Sequence, residues 1–421
     1  MFKREILSQI RFLAITTVLL GISSFVFSAV VSRQTMPEIA SRVFTMWTVS
    51  NFFLLVFQYP IEIYGPKLNQ INGETSGQSI DLRKWINRFC MFSGSLVAML
   101  ATGTYLVIYG TWRLEAFSFV LLIFAMSQFF SRRAYFLAKG EIQKFTQLIS
   151  VFAASTTFLL LGARMIGITN ANIIIGIVTF GYCVSLVAAR LLDKTHDEIG
   201  QRIELPLVES PIHWMTHGKE IISLSTSNFV SVLLISGGSF FTGYVSLSEG
   251  EVIVYLGTIS IVMIPLSILN SSGMAIHLRG IKLVDQKDKK RFHQLFYSAF
   301  FGYSFGVVAV SGVIYVFGER IMRVYLGSKY TFDRTELVLI AISIGFAIIT
   351  ALPRTMMSSL GRTSKILMPS LFTVAVYFLV LLTYRNHIEA LCFASILGSA
   401  TVFSLSTISL FQNAKFLETN G

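Results

Sequence analysis

Four arginines lie within or beside long apolar stretches of this sequence. Arg133 and Arg354 each stand seven residues before a glycine, Arg132 adjoins the first of them, and Arg11 begins the first apolar stretch. A guanidinium group is planar, donates two parallel hydrogen bonds and stays charged at any working pH, which suits it to phosphate. We therefore predict that these residues bind an anionic group. The alternative is that they are anchors whose charged ends reach lipid headgroups at a membrane surface.

Glu62 is the one acidic residue inside a predicted membrane-spanning stretch, and it lies close to Pro60. Charge in hydrocarbon is costly, so a carboxylate in this position is a candidate site for a coupling cation or proton. It could instead be an interfacial acid within reach of Lys67. Because the sequence offers no second acid of this kind, the mechanism could also rely on the membrane potential, a carbonyl-lined ion site or downhill substrate flow.

Small polar side chains are concentrated where the second half of the chain begins, and Ser227 and Asn228 lie among them. Small polar residues allow close packing of helices in a membrane. They could also line a wet cavity and hydrogen-bond a substrate. On that second interpretation, Ser227 and Asn228 are candidate substrate-binding residues.

Motifs for soluble catalysis are missing. The sequence has no G-x4-G-K-[ST] phosphate loop and no H-E-x-x-H zinc motif. Cys90, Cys183 and Cys392 are far apart and have no C-x2-C spacing, so neither disulfides nor a zinc site is indicated. The sequence therefore predicts a protein that is not an enzyme and uses no metal or cofactor.

The composition places the chain in a bilayer. Of its 421 residues, 53% are hydrophobic and 13% are charged, whereas a soluble domain carries about 25% charged residues. A helix needs about 20 apolar residues to cross the hydrocarbon core. Twelve stretches satisfy this condition and predict an all-α polytopic membrane protein with about 12 transmembrane helices: Phe12–Val31, Phe44–Gly65, Ile86–Tyr109, Ala116–Ala138, Phe145–Arg164, Ala171–Leu191, Ile221–Tyr244, Val252–Ala275, Leu295–Phe317, Leu337–Met357, Ile366–Tyr384 and Ala390–Phe411.

The net charge of +12 could suggest a nucleic-acid partner, but its distribution argues against one. With twelve spans, most Lys and Arg residues fall in the loops on one side. This positive-inside pattern predicts a plasma-membrane protein with both termini in the cytoplasm. The basic surface is then expected to contact anionic membrane lipids, and no nucleic acid.

Three sequence patterns occur twice in the same order, which indicates an internal duplication. One pairs Glu5-Ile6-Leu7-Ser8 with Glu220-Ile221-Ile222-Ser223, another pairs Asp81-x-Arg83-Lys84-Trp85 with Asp288-x-Lys290-Arg291-Phe292, and the third pairs Arg133-x6-Gly140-x3-Lys144 with Arg354-x6-Gly361-x3-Lys365.

The duplication predicts an N-terminal six-helix lobe over residues 1–191, a cytoplasmic linker over residues 192–219 and a C-terminal six-helix lobe over residues 220–421. Each half has an even number of spans, so both halves enter from the same side. The lobes should then be related by a pseudo-two-fold axis along the membrane normal.

In these patterns, and in the segment Leu326-Gly327-Ser328-Lys329-Tyr330, the chain resembles the multidrug/oligosaccharidyl-lipid/polysaccharide exporter superfamily. Within it, the chain is most similar to the polysaccharide-repeat-unit flippases of O-antigen and teichoic-acid type. The resemblance implies a central cavity, alternating access and transfer of a polyprenyl-pyrophosphate-linked oligosaccharide between leaflets of a bacterial plasma membrane. It also implies a lipid-linked glycan as substrate and glycan assembly machinery as a partner.

Two other functions stay open. The first is a small-molecule exporter of the same superfamily, for a drug or a metabolite. Drug exporters of the superfamily tend to have acidic residues in the helices of the first lobe, and Glu62 is the sole candidate here. The second is a membrane enzyme such as a glycan polymerase, which is disfavoured because the longest predicted outside loop, Gly318–Glu336, contains no histidine. The oligomeric state is undetermined.

Overall fold

The structure is a computed structural model that describes residues 2–62, 65, 82–110, 114–197, 214–241, 245, 247–384 and 387–414. Regular structure within these ranges is helical throughout, without a strand, which confirms the predicted all-α fold class. The main helices are α1 (Phe2–Gln34), α2 (Pro37–Phe57), α3 (Leu82–Tyr109), α4 (Leu114–Ala138), α5 (Ile142–Ile166), α6 (Ala171–Asp197), α7 (Trp214–Ser236), α8 (Glu249–Asp285), α9 (Lys289–Leu326), α10 (Arg334–Ile349), α11 (Ala351–Ser359), α12 (Leu367–Thr383) and α13 (His387–Asn413).

The helices follow the predicted spans closely. In the described part of the chain, nine helical segments are long and apolar enough to cross a membrane, and three shorter apolar segments cover the other predicted spans. One predicted span consists of two consecutive helices, α10 and α11, which meet at Thr350. Pro353 supplies the reason, because it has no N–H to donate to the carbonyl of Ile349.

The chain divides into two compact units. The first unit comprises residues 22–225, and the second comprises residues 1–21 with residues 226–421. This division differs from the predicted lobes because it falls inside α1 and inside α7. Helix α1 has 33 residues and is therefore about 50 Å long, enough for one helix to contribute to both units. Residues 198–213 of the predicted linker lie outside the described residues.

The two units repeat one order of helix packing. In the first unit, α2 packs on α3, α3 packs on α4, and both α4 and α5 pack on α6. In the second unit, α8 packs on α9, α9 packs on α10, and both α10 and α12 pack on α13. The helices that correspond in sequence therefore have corresponding neighbours, as a duplication requires.

The repeated aromatic residues occupy matching places in the cores of the two units. Trp85 packs with Ile86 and Ala134 in the first unit, and Phe292 packs with Met356 in the second. Lipid tails are as apolar as leucine, so such clusters stabilise a membrane protein through close packing more than through removal from water.

The repeated glycines end α4 and α11 in the same way. Gly140 and Gly361 have positive φ angles of 73° and 66°, in the left-handed region that only glycine adopts readily. Both helices end in a Schellman motif. At the end of α4, the N–H of Gly140 donates to Leu137 O (3.0 Å) and the N–H of Glu141 donates to Phe136 O (2.9 Å). At the end of α11, the N–H of Gly361 donates to Ser358 O (3.0 Å) and the N–H of Arg362 donates to Met357 O (3.1 Å). The spacing from arginine to glycine thus sets each arginine two turns before a helix end.

Candidate functional site

The first unit contains a largely buried ion pair between Arg133 and Glu62. Arg133 lies on α4, and Glu62 lies in the short helical segment beyond α2, after Pro60. Nη2 of Arg133 donates a hydrogen bond of 3.1 Å to Oε2 of Glu62, and Nε lies 3.1 Å from Oε1. The side chains are only 14% and 4% exposed. The carboxylate thus compensates the guanidinium charge directly.

Three phenylalanine rings surround the same guanidinium. Its Cζ lies 4.7 Å from the ring centroid of Phe130, 5.3 Å from that of Phe145 and 5.8 Å from that of Phe129. Aromatic faces carry partial negative charge and attract cations at these distances. Arg133 is therefore held by a carboxylate on one side and by aromatic faces around it.

Gln58, one turn before Glu62, forms a second group of buried hydrogen bonds in the first unit. Its Nε2 donates to Ser127 Oγ at 2.9 Å, to Cys90 O at 3.1 Å and to Ser93 Oγ at 3.2 Å. These bonds join the end of α2 to α3 and α4. The sequence did not single out Gln58, because a lone amide in an apolar stretch carries no charge and matches no motif.

In the second unit, Arg354 is buried among neutral oxygens. The residue is 6% exposed. Its Nε donates to the carbonyl of Thr350 at 3.0 Å, and Nη2 donates to the hydroxyl of Thr350 at 3.1 Å. Nη1 donates to the carbonyl of Ser227 at 2.7 Å and to the hydroxyl of Ser231. In the described part of the chain, none of its partners is a carboxylate.

The other predicted site residues fall in several places. Ser227 joins Arg354 through its backbone carbonyl, and Asn228 is half-buried beside it on α7. Arg132 is half-buried next to Arg133 on α4. Arg11 belongs to α1, but its side chain lies outside the described residues, as does Lys67. The geometry thus groups Arg354 with Ser227 and Arg133 with Glu62, and substrate binding by these residues stays a prediction.

A further buried charge cluster lies near the start of α2. Arg42 is 5% exposed. It donates a hydrogen bond to Glu38 on the same helix, and its Nη2 lies 3.6 Å from Glu115 on α4. The spacing of Glu38 and Arg42, four residues apart on one helix face, was a usable signal in the sequence. The contact with Glu115 was not, because it depends on how α2 packs against α4.

Metal ligands are not gathered anywhere in the described ranges: no group of three or more His, Cys, Asp or Glu side chains lies together there. The most buried cations that the described residues bring together with polar partners are guanidinium groups, which contact carboxylates, hydroxyls or carbonyls. Such groups can bind and exchange ions or charged parts of a substrate.

No protein-family model matches the sequence, and a comparison with curated proteins finds no match either. Solved structures do match in fold. The Vibrio cholerae MATE transporter VcmN, in its bent form, has a TM-score of 0.67 at 14% identity, over 98% of each chain. A multidrug resistance MATE family transporter of the MOP superfamily, in an inward-facing conformation, has a TM-score of 0.68 at 11% identity, over 97% of this chain and 99% of the other. The eukaryotic MATE transporter AtDTX14 has a TM-score of 0.66 at 13% identity, over 98% of each chain. This chain therefore has the fold of the MATE transporters of the MOP superfamily.

Proposed function

We propose that this protein is a membrane transporter that exports small organic molecules by alternating access. The observation that carries the proposal is the likeness in fold, over 97% of this chain, to a multidrug resistance transporter. Neighbours of this fold were solved in inward-facing and in outward-facing conformations, with TM-scores of 0.68 and 0.66. A fold found in both conformations is what alternating access requires. The protein would be a multi-pass protein of a bacterial plasma membrane with both termini in the cytoplasm.

Within this proposal, Glu62 is the candidate group for coupling transport to an ion. Its carboxylate is buried and holds Arg133 at 3.1 Å. A proton or a small cation that took over the carboxylate would release the guanidinium, so the two events are linked by charge balance. The ion pair would then have two states, one with Glu62 bound to Arg133 and one with Glu62 bound to the ion. A transporter coupled to an ion needs two such states.

A flippase for a polyprenyl-pyrophosphate-linked oligosaccharide is the second candidate function. The resemblance of the sequence to polysaccharide-repeat-unit flippases suggested it, and one structural observation favours it. Arg354 is a buried cation without a carboxylate partner in the described residues, and a pyrophosphate would supply the missing negative charge. Two of the fold neighbours are named as multidrug resistance transporters, which fits the small-molecule exporter better.

The two functions can be separated in cells. We would express the chain in a bacterial strain that lacks its main drug exporters and measure accumulation of ethidium, a cationic dye, and of fluorescein, an anionic dye. A second strain that lacks its own polysaccharide-unit flippase would report surface glycan by lectin binding. The exporter proposal expects lower accumulation of at least one dye and no return of surface glycan.

A variant with Glu62→Gln serves as the mechanistic control at matched expression. It should abolish export that depends on a proton or sodium gradient in proteoliposomes. If the wild-type chain restored surface glycan and left dye accumulation unchanged, the flippase function would replace the exporter function as the conclusion. If the wild-type chain produced neither effect while it was present in the membrane, the transport proposal would be wrong.

A further inference from the structure

The two arginines that the duplication relates have different counter-charges. Arg133 lies 3.1 Å from a carboxylate that the segment after α2 supplies. The counterpart of that segment in the second unit is α8, which has no acidic residue between Glu251 and Asp285. Arg354 is nevertheless as buried as an interior residue, at 6% exposure. Among the residues that the structure describes, the second unit therefore has the buried arginine without a carboxylate beside it.

A buried cation surrounded by neutral groups is costly. Arginine cannot lose its proton in a protein, so it cannot escape the cost by becoming neutral. Burial of a charge is normally tolerated only when an opposite charge accompanies it. Neutral oxygens accept four hydrogen bonds from Arg354 without balancing its charge. The local environment is therefore better suited to a state in which an anion is bound.

The donors of Arg354 leave room for such an anion. The guanidinium has five N–H groups, and the four hydrogen bonds to Thr350, Ser227 and Ser231 engage four of them. The fifth, on Nη2, has no acceptor among the residues that the structure describes. The Ser231 hydroxyl, which now donates to the Ser227 carbonyl at 3.0 Å, can rotate and free Nη1. Nη1 and Nη2 together form the fork that binds a carboxylate or a phosphate.

We propose that Arg354 is an anion-binding site of the second unit and that the anion is a carboxylate or phosphate group of the transported molecule. The anion takes the place that Glu62 occupies beside Arg133 in the first unit. Ser231 and Thr350 are the positioning residues, since their hydroxyls now donate to the carbonyls of Ser227 and Ala347 and can turn these protons toward the anion. Binding at the site is independent of the proposed export function, whereas transport of the bound anion rests on it.

Two sources could supply this anionic group, a soluble organic acid or the phosphate of a membrane lipid. Binding would be measured with the purified full chain in micelles of dodecyl maltoside, a detergent without phosphate. The soluble probes are inorganic pyrophosphate and benzoate, added in a buffer without other polyvalent anions. The lipid probe is a polyprenyl phosphate included in the micelles. Either type of probe should raise the thermal unfolding temperature of the wild-type chain, because a ligand that binds the native state stabilises it.

Three variants test whether Arg354 is the residue that binds the anion. Arg354→Gln should weaken binding on the order of tenfold to a hundredfold, because it removes hydrogen bonds from a charged group. Arg354→Lys keeps the charge but loses the fork, so it should bind with intermediate affinity. Arg362→Gln removes the same charge from an exposed position on the same segment, and it should bind like the wild type. If Arg354→Gln does not fold, the Lys variant still compares a fork with a point charge.

Each result either supports or overturns the site. Binding of soluble probes identifies a free organic anion, and binding of the lipid probe alone identifies a lipid phosphate. Lack of stabilisation by any probe in the wild type, or equal binding by Arg354→Gln, would overturn the anion site. A chain that lowers dye accumulation in cells but binds no anion keeps the exporter proposal without this site. A chain that binds an anion through Arg354 and moves nothing keeps the site without the exporter.

Discussion

Removal of one partner of the Glu62–Arg133 pair should destabilise the first unit strongly. At 3.1 Å, two unit charges attract each other by about 5 kcal/mol in a protein environment with an effective dielectric constant of about 20. Loss of one partner also leaves the other charge buried, which usually costs about 3–5 kcal/mol. Glu62→Gln and Arg133→Gln should each lower the free energy of unfolding by about 3–5 kcal/mol. Glu62→Gln should be the milder change, because three aromatic rings still surround the cation.

The double variant tests whether the two residues act as a pair. Two neutral amides can hydrogen-bond each other and leave no buried charge, so the double change should cost about as much as one single change. The coupling energy of the cycle should therefore be at least about 2 kcal/mol. Independent residues would instead give additive costs.

The cysteines of the chain allow this measurement to be made in one unit at a time. Cys90 is 1% exposed and packs with Ile61 in the core cluster of the first unit. With Cys183 and Cys392 replaced by serine, a thiol-reactive fluorogenic dye would report when Cys90 becomes accessible in a denaturant titration. A second background would retain Cys392, which is buried in the second unit, and have serine at the other two cysteines. In that background, the same variants should change the denaturant concentration that exposes the thiol only slightly.

Two outcomes would refute the reasoning. Single changes that cost under about 1 kcal/mol would mean that the pair behaves like an exposed ion pair. Additive costs in the double variant would mean that the two side chains are stabilised by other contacts.

Three further predictions concern stability. Gly94→Ala should cost about 1–3 kcal/mol by overpacking, because its Cβ would overlap Ser127 Oγ, whereas Gly103→Ala, with nothing within 4 Å, should be close to neutral in the same Cys90 assay. Arg42→Gln should lower the unfolding midpoint in denaturant by several times more than Arg334→Gln, since Arg42 is 6% exposed and Arg334, beside Glu319, is 52% exposed; equal shifts would contradict the role of burial. The pKa of Asp333 is lowered from its ordinary value because its carboxylate accepts hydrogen bonds from the backbone N–H groups of Glu336 and Thr335. The cap should therefore stabilise α10 fully above about pH 4 and lose this effect as the pH falls through the lowered pKa. Asp333→Ala should cost about 1 kcal/mol at neutral pH and nothing at low pH, as followed by amide hydrogen exchange of α10.

Helical architecture was predictable because the constraint that produces it is local. Backbone groups in a bilayer must find hydrogen bonds within their own segment, so every run of about 20 apolar residues has to become a helix. The repeated caps were predictable for a similar reason. A left-handed residue at a helix end requires glycine, so Gly140 and Gly361 mark the ends of α4 and α11 directly in the sequence.

Charge pairing was not predictable to the same extent. The sequence offered Lys67, which lies outside the described residues, as a neighbour of Glu62, but it did not indicate the contact with Arg133, 71 residues away. Arg354 likewise reaches Ser227 across 127 residues, and Arg42 meets Glu115 from another helix. Such contacts depend on which faces of two helices pack together, which hydropathy does not encode.

The amino-acid sequence by itself determined the helical class, the positions of the apolar spans, the pattern that predicts an internal repeat and the presence of arginine two turns before each repeated cap. Only the tertiary structure decided that Arg133 has a carboxylate beside it and that Arg354 has only neutral partners among the described residues. The physical reason is the separation along the chain over which each interaction acts. Hydrogen bonding along a helix and backbone sterics act between neighbours in the chain, whereas the cost of a buried charge depends on every group that packing brings within a few ångströms.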